Sequence, residues 1–320
     1  MATSSRRPSL SVVICTYSAA RTKHLARLLE ALGQQARPAD QVVVVVDHNP
    51  ELLAAIHRWS LPLGTIVEPN AHGRGLSGGR NTGFETATGD VVAFIDDDAI
   101  PEADWLERLI ADYADPRVIG VGGPVEPSWE GRPPGWFPAE FGWVVGCGYE
   151  GLPQKQASVR NFIGCNMSFR RQALVESGGF RIDLGRIGLA PVGCEETELC
   201  IRLIANNPGQ MLRFEPAARV HHAVPPDRMT WAYFRARCFA EGRSKARVAH
   251  ITGAGSALAT ERSYVVRTLT RGLVRDATHG SVRRSGAIVA GLATTTIGFL
   301  AGRWELAVGR EQLLEPAHQS

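Results

Sequence analysis

The chain has 320 residues, 44% of them apolar and 21% charged, which allows one large core or two domains and excludes a mainly disordered or fibrous protein. Its six cysteines, Cys15, Cys147, Cys165, Cys194, Cys200 and Cys238, form no C-x-x-C pair, so reduced, buried thiols are expected and a zinc site is not. The formal charge of +3 is unevenly spread: from Asp227 onward 14 basic residues stand against 7 acidic ones, a surplus of 7 that leaves the preceding part at −4.

Residues 1–8 are small, polar and basic, without the apolar stretch of a secretory signal, so a disordered N-terminus and a cytoplasmic location are expected. Strand and helix signals then alternate. Buried strands are predicted over 10–15, 41–46, 65–68, 91–95 and 118–122. Helices are predicted over 22–32, where Leu25, Leu28, Leu29 and Leu32 share a face, and over 52–59, 76–87 and 105–113. The pattern predicts an α/β fold, a doubly wound, mostly parallel sheet of Rossmann-like type. Right-handed crossovers place the strand-to-helix turns at one sheet edge, gathering Thr16-Tyr17, Asp47, the Gly-rich run after Glu68 and the triplet Asp96-Asp97-Asp98.

Three carboxylates at the end of a buried strand repel one another unless a cation or strong donors compensate, and hard divalent ions prefer oxygen ligands. A metal-bound phosphate ligand is the inference, against the alternative that the triplet only caps the helix that follows. The Gly-rich run contains G-x-G-x-x-G over Gly73–Gly78, which alone would suggest an NAD(P)-dependent oxidoreductase. It follows the third strand instead of the first, however, and it brings Arg74 and Arg80 to a place where backbone amides normally suffice. Arg80 offers a permanently charged planar fork to a diphosphate.

From Gly123 to Arg160 prolines alternate with Trp129, Trp136, Phe137, Phe141 and Trp143, which reads equally as an acceptor-binding loop or as aromatic packing. A strand running into a helix follows at 161–171. Glu195-Glu196 then open a helix, where a carboxylate either complements the helix dipole or stands as a base at the helix mouth. The tail is helical over 231–248, 262–277 and 285–301. Residues 286–302 carry no charge but reach only the lower limit of a membrane span. A helix packed on the protein or lying at a membrane surface is expected instead, with Arg267, Arg271, Arg275, Arg283 and Arg284 suited to an anionic leaflet. No motif points to nucleic acid.

The motifs also stand in a telling order: Ile14-Cys15-Thr16-Tyr17, Val46-Asp47, Gly79-Arg80-Asn81-Thr82-Gly83, Asp96-Asp97-Asp98, Gly164-Cys165-Asn166-Met167-Ser168, Gly178-Gly179-Phe180, Glu195-Glu196 and Val220-His221-His222. This ordered set resembles glycosyltransferase family 2, of the GT-A fold, over about residues 9–225. The resemblance implies a nucleotide-sugar-binding half over 9–122, an acceptor-binding and catalytic-base half over 123–225, and a basic helical extension over 226–320. It implies a nucleoside-diphosphate sugar donor held by Thr16, Tyr17, Asp47, Arg80, Asp96 and Asp97, and Mg2+ or Mn2+ on Asp98, Asp96 and His222. It implies Glu196 or Glu195 as base for an inverting single displacement onto a sugar, lipid-linked or small-molecule acceptor. The sequence departs from the family pattern at Gly79, where alanine is usual, and at Glu196, where aspartate is usual. A metal-dependent sugar nucleotidyltransferase is the nearer rival reading, and the absence of a Q-x-x-R-W pattern disfavours a processive synthase.

Overall fold

The computed structural model describes residues 7–185, 193–253, 261 and 263–309, so the expected disorder of the first six residues lies outside the described ones. Eleven strands are described: β1 Leu10–Thr16, β2 Gln41–Val46, β3 Thr65–Pro69, β4 Val91–Asp96, β5 Ala99–Pro101, β6 Val118–Gly122, β7 Val125–Trp129, β8 Ala157–Val159, β9 Asn166–Arg170, β10 Met211–Phe214 and β11 Val220–Val224. Eight form one sheet in the order β3-β2-β1-β4-β9-β6-β10-β8, parallel except for β9 and β8. The predicted α/β sheet is therefore present. The strands of its centre are apolar on both sides because helices cover both faces.

The helices are α1 Thr22–Gly33, α2 Pro50–Ile56, α3 Leu76–Thr86, α4 Trp105–Ala111, α5 Arg171–Ser177, α6 Glu195–Asn206, α7 Trp231–Thr252, α8 Thr270–Thr278 and α9 Val282–Ala307, with a π-helical turn at Tyr264–Leu269. α2 starts two residues earlier and ends three earlier than its pattern predicts. Asn49 accepts a hydrogen bond from the Leu52 amide at 3.0 Å and Pro50 occupies the first turn, fixing the start. α3 is buried almost all round, because its glycines let it lie directly on the sheet. A Cβ at Gly83 would overlap Val13 Cγ1, and one at Gly79 would stand 3.1 Å from Cys15 Sγ. The Gly-rich run is thus a packing device as well as a turn.

A second sheet of three strands, β5-β11-β7, matters most for the site. β11 pairs antiparallel with β5, the strand immediately after the aspartate triplet, so His222 stands opposite Ala99 and the Ala223 amide donates to the Asp98 carbonyl at 2.9 Å. Asn166 ties the two sheets, accepting from the Trp105 indole at 2.9 Å and donating to the carbonyls of Pro124 and Ala218.

The aromatic segment of the middle third is mostly packing. Trp136 meets Trp231 and Phe234 of α7 edge-on, with centroids 5.0 and 5.5 Å apart, and Phe141 also packs on Phe234. All six cysteines are free and all but Cys15 are buried, as the sequence predicts. α7 and α9 pack together as a pair.

Candidate active site

A cavity of about 390 Å³ opens between the sheet edge and the C-terminal helices. Arg80, Asp96, Glu195, Glu196 and His222 line it from one side, and Arg228, Arg237, Lys245, Tyr264 and Leu292 from the other. Five residues singled out in the sequence thus meet in one space. The opposite wall comes from the segment that sequence reading treats as an extension.

Asp96 ends β4 with its side chain about a third exposed, whereas Asp97 and Asp98 are buried below it. Asp98 Oδ1 forms an ion pair with His222 Nε2 at 3.2 Å. Asp98 Oδ2 lies 3.1 Å from Arg21 Nη1 and 3.8 Å from Arg228 Nη2. Burial opposes ionisation of Asp98, but His222, Arg21 and Arg228 override it and hold the carboxyl well below its usual range. Burial likewise works against a charged His222, yet the Asp98 carboxylate lifts its pKa to about 10. Asp97 accepts from Arg21 Nη1 at 2.6 Å, and burial still pushes its pKa up to about 6.

Asp96, Asp98 and His222 can each offer one ligand atom within 4.8 Å of the other two, the one such group among the described residues. Two carboxylates and an imidazole are a donor set that fits a divalent cation. His221 points elsewhere, to Glu102 at 2.7 Å on the surface. Strand alternation turns His222 inward and His221 outward.

Arg80 is buried and joins three parts of the site. Its Nη1 donates to Glu195 Oε1 at 2.7 Å, and its Nη2 donates to the Gly164 carbonyl at 2.9 Å and lies 3.4 Å from Asp96 Oδ1. Burial works against the guanidinium, while Glu195 and Asp96 keep it charged. Glu195 is therefore committed to Arg80. Its neighbour Glu196, only partly buried, faces the cavity, and burial together with the Glu195 charge pushes its pKa up to about 8. The two adjacent acids differ because successive positions at a helix start point in different directions.

Thr16, Tyr17 and Asp47 lie along the same sheet edge but do not line the cavity. The Asp47 carboxylate accepts from Asn70 at 2.7 Å and from the Gly75 amide at 3.0 Å, holding the Gly-rich turn. Tyr17 lies under the Arg21 guanidinium, 5.3 Å from its ring centroid. Arg21 and Arg228 are participants that motif reading misses. Arg21 closes the short turn Ala19–Arg21 after β1, a position near the sheet edge that could have flagged it; Arg228 has no local signal.

Comparison with known proteins adds an independent line. The family model described as glycosyl transferase family 2 matches residues 11–178. A glucosyl-dolichyl phosphate glucuronosyltransferase of Haloferax volcanii is 37% identical over 238 residues, covering 74% of this chain and 76% of that protein. The succinoglycan biosynthesis protein ExoM of Rhizobium meliloti is 28% identical over 244 residues, 75% of this chain and 74% of its own length. Among solved structures, the Pyrobaculum calidifontis mannosyltransferase PcManGT, in complex with GDP-Man and Mn2+, superposes with a TM-score of 0.59 over 97% of this chain and 89% of that one, at 21% identity. The matched sheet, the ordered motifs and the breadth of the sequence match together mean that the chain belongs to glycosyl transferase family 2 and is a glycosyltransferase of the GT-A fold.

Proposed function

We propose that the protein transfers a sugar from a nucleoside-diphosphate sugar to an acceptor hydroxyl in a metal-assisted single displacement that inverts the anomeric carbon. The observation that carries this reading is the cavity itself, onto which Asp96 and His222 of the cation-competent trio, the buried Arg80 fork and the Glu196 carboxyl with its raised pKa converge. Mannosyltransferase PcManGT, of the same fold, was solved with GDP-Man and Mn2+, which supports a sugar nucleotide and a divalent ion.

Asp98, Asp96 and His222 would hold Mg2+ or Mn2+, which supplies positive charge against the diphosphate that departs. Arg80, fixed by Glu195 and Gly164, presents its guanidinium edge to the same charge. Thr16, Tyr17 and Asp47 line the edge where the nucleoside end lies, and Asp97, held by Arg21, keeps the triplet in register. Glu196 accepts the proton of the acceptor hydroxyl as that oxygen attacks the anomeric carbon from the face opposite the leaving group. The donor belongs to residues 9–122, and the acceptor to residues 123–225 together with the helices beyond them. A lipid-linked sugar acceptor fits the name of the H. volcanii relative and supports reading this enzyme as a cytoplasmic protein held peripherally at a membrane. Pyrophosphate release by a nucleotidyltransferase is the rival outcome.

Asp98→Ala tests the reading. Sugar transfer should be lost while the fold, followed by circular dichroism, is kept; a fully active Asp98→Ala protein would remove the metal role.

A further inference from the structure

α9 is turned inside out for a water-soluble helix. Its small residues face the protein: an added Cβ at Gly298 would overlap the Phe239 carbonyl of α7, one at Gly291 would enter the Phe141 ring, and one at Gly302 would stand 2.9 Å from Ala246. Its large apolar residues face outward. Val282, Val289, Ile297 and Leu300 are between 56% and 77% exposed. At 100° per residue these four, with exposed Ala293, fall on one stripe along the helix, and exposed Arg283 and Arg303 stand at its two margins.

The helix is the one among the described residues long and apolar enough to cross a membrane, at 26 residues or about 39 Å. Its other face forbids a crossing. α7 runs against it and bears Arg235, Arg243, Lys245 and Arg247, and Arg243 pairs with Glu305 of α9 itself at 2.8 Å. A span would drag these charges into hydrocarbon. Leu292, Thr295, Thr296 and Phe299 of the same helix line the reaction cavity, so the outward stripe borders the cavity wall.

We infer that α9 lies flat in the headgroup region of an anionic leaflet, its stripe of Val282, Val289, Ile297 and Leu300 dipped into the acyl boundary and its marginal arginines on the phosphates, which makes specific, and rests on, the membrane partner proposed above. The positive surplus of the tail complements such a surface. A lipid-linked acceptor in that leaflet then meets the cavity from beside α9, with no need to leave the bilayer.

The test is co-sedimentation of the full chain with vesicles of phosphatidylcholine alone and of equal parts phosphatidylcholine and phosphatidylglycerol. Wild type should bind the anionic vesicles, and Ile297→Asp/Leu300→Asp should bind about a hundredfold more weakly, since two inserted side chains become charges. Arg283→Gln/Arg303→Gln should lose affinity for anionic vesicles only, by about tenfold, and keeps the proposal testable if the aspartate variant misfolds. Donor hydrolysis in solution should be unchanged in both, which separates this outcome from failure of the catalytic reading. Equal vesicle binding by wild type and both variants, no binding by wild type, or a wild-type dimer that the aspartate variant makes monomeric would each overturn the inference.

Discussion

Glu195 and Glu196 are adjacent acids with opposite fates, and exchanging each for glutamine separates them. Glu196 has a pKa of about 8, against 4.5 for an unperturbed glutamate, because burial and the Glu195 charge both disfavour its ionised form. A base must be ionised, so with metal saturating, kcat/KM should climb as pH rises. With the Glu196 pKa raised above neutrality, kcat/KM should rise several-fold between pH 7 and a plateau at higher pH. Glu196→Gln removes the proposed base and should lower kcat by about 10²–10⁴, equivalent to about 3–5 kcal/mol in the barrier, and should erase that limb of the profile. Glu195→Gln should keep the limb but shift it toward lower pH, because a like charge beside Glu196 is gone. It should also unfold at lower temperature, since Arg80 loses the partner at 2.7 Å; breaking a buried pair costs about 3–5 kcal/mol. Rates from pH 6 to 10 and thermal melts of the three proteins decide the matter. A Glu196→Gln enzyme that keeps near-wild-type turnover and the same pH limb would refute the assignment.

Other consequences follow from the same contacts. The Glu196 pKa is raised on folding, so the folded state holds the extra proton between about pH 4.5 and 8, and stability should decline as pH rises through that window; Glu196→Gln should flatten the decline and melt higher than wild type at pH 8.5, by a margin of order 1–3 kcal/mol. Arg21→Ala takes from Asp97 the arginine at 2.6 Å and from Asp98 one of the three cations around it, and should destabilise the apo-protein by about 1–3 kcal/mol, discounted because the arginine is partly exposed, with much of the loss restored by Mn2+ in a melting experiment. His222→Ala should raise the Mn2+ concentration for half-maximal activity at least about tenfold, whereas His221→Ala, which only frees Glu102 at the surface, should leave it unchanged. Gly83→Ala should cost about 1–3 kcal/mol in a denaturant titration, because the new methyl overlaps Val13, while Gly79→Ala, with 3.1 Å to Cys15 Sγ, should cost less than about 1 kcal/mol.

Much of this was legible in the sequence because local periodicity and turn chemistry report directly on parallel strands. β1, β2, β4 and β6 lie within a residue of their predicted ranges, and the turns at Thr16, Asp47, Gly75 and Asp96 do share one edge. The reversed direction of β9 was not legible, since alternation is the same for a parallel and an antiparallel strand. Nor was the pairing of β11 with β5 that sets His222 against Asp98, which spans more than a hundred residues of chain. Arg21 and Arg228 stand in no motif, and only the folded geometry puts them on Asp98. The C-terminal helices read as a separate basic extension because their sequence has no chemical motif; that they wall the cavity follows from α7 and α9 packing through glycines, whose role shows only when two backbones meet.

The measurement that bears most directly on the central claim is nucleoside diphosphate release from a panel of UDP-, GDP- and dTDP-sugars, with Mn2+ and then with excess chelator. At least one donor should yield the diphosphate and a transferred sugar in Mn2+, chelation should stop it, and Glu196→Gln should stop it with metal present. Pyrophosphate as the product, or release that persists undiminished in chelator, would contradict the claim.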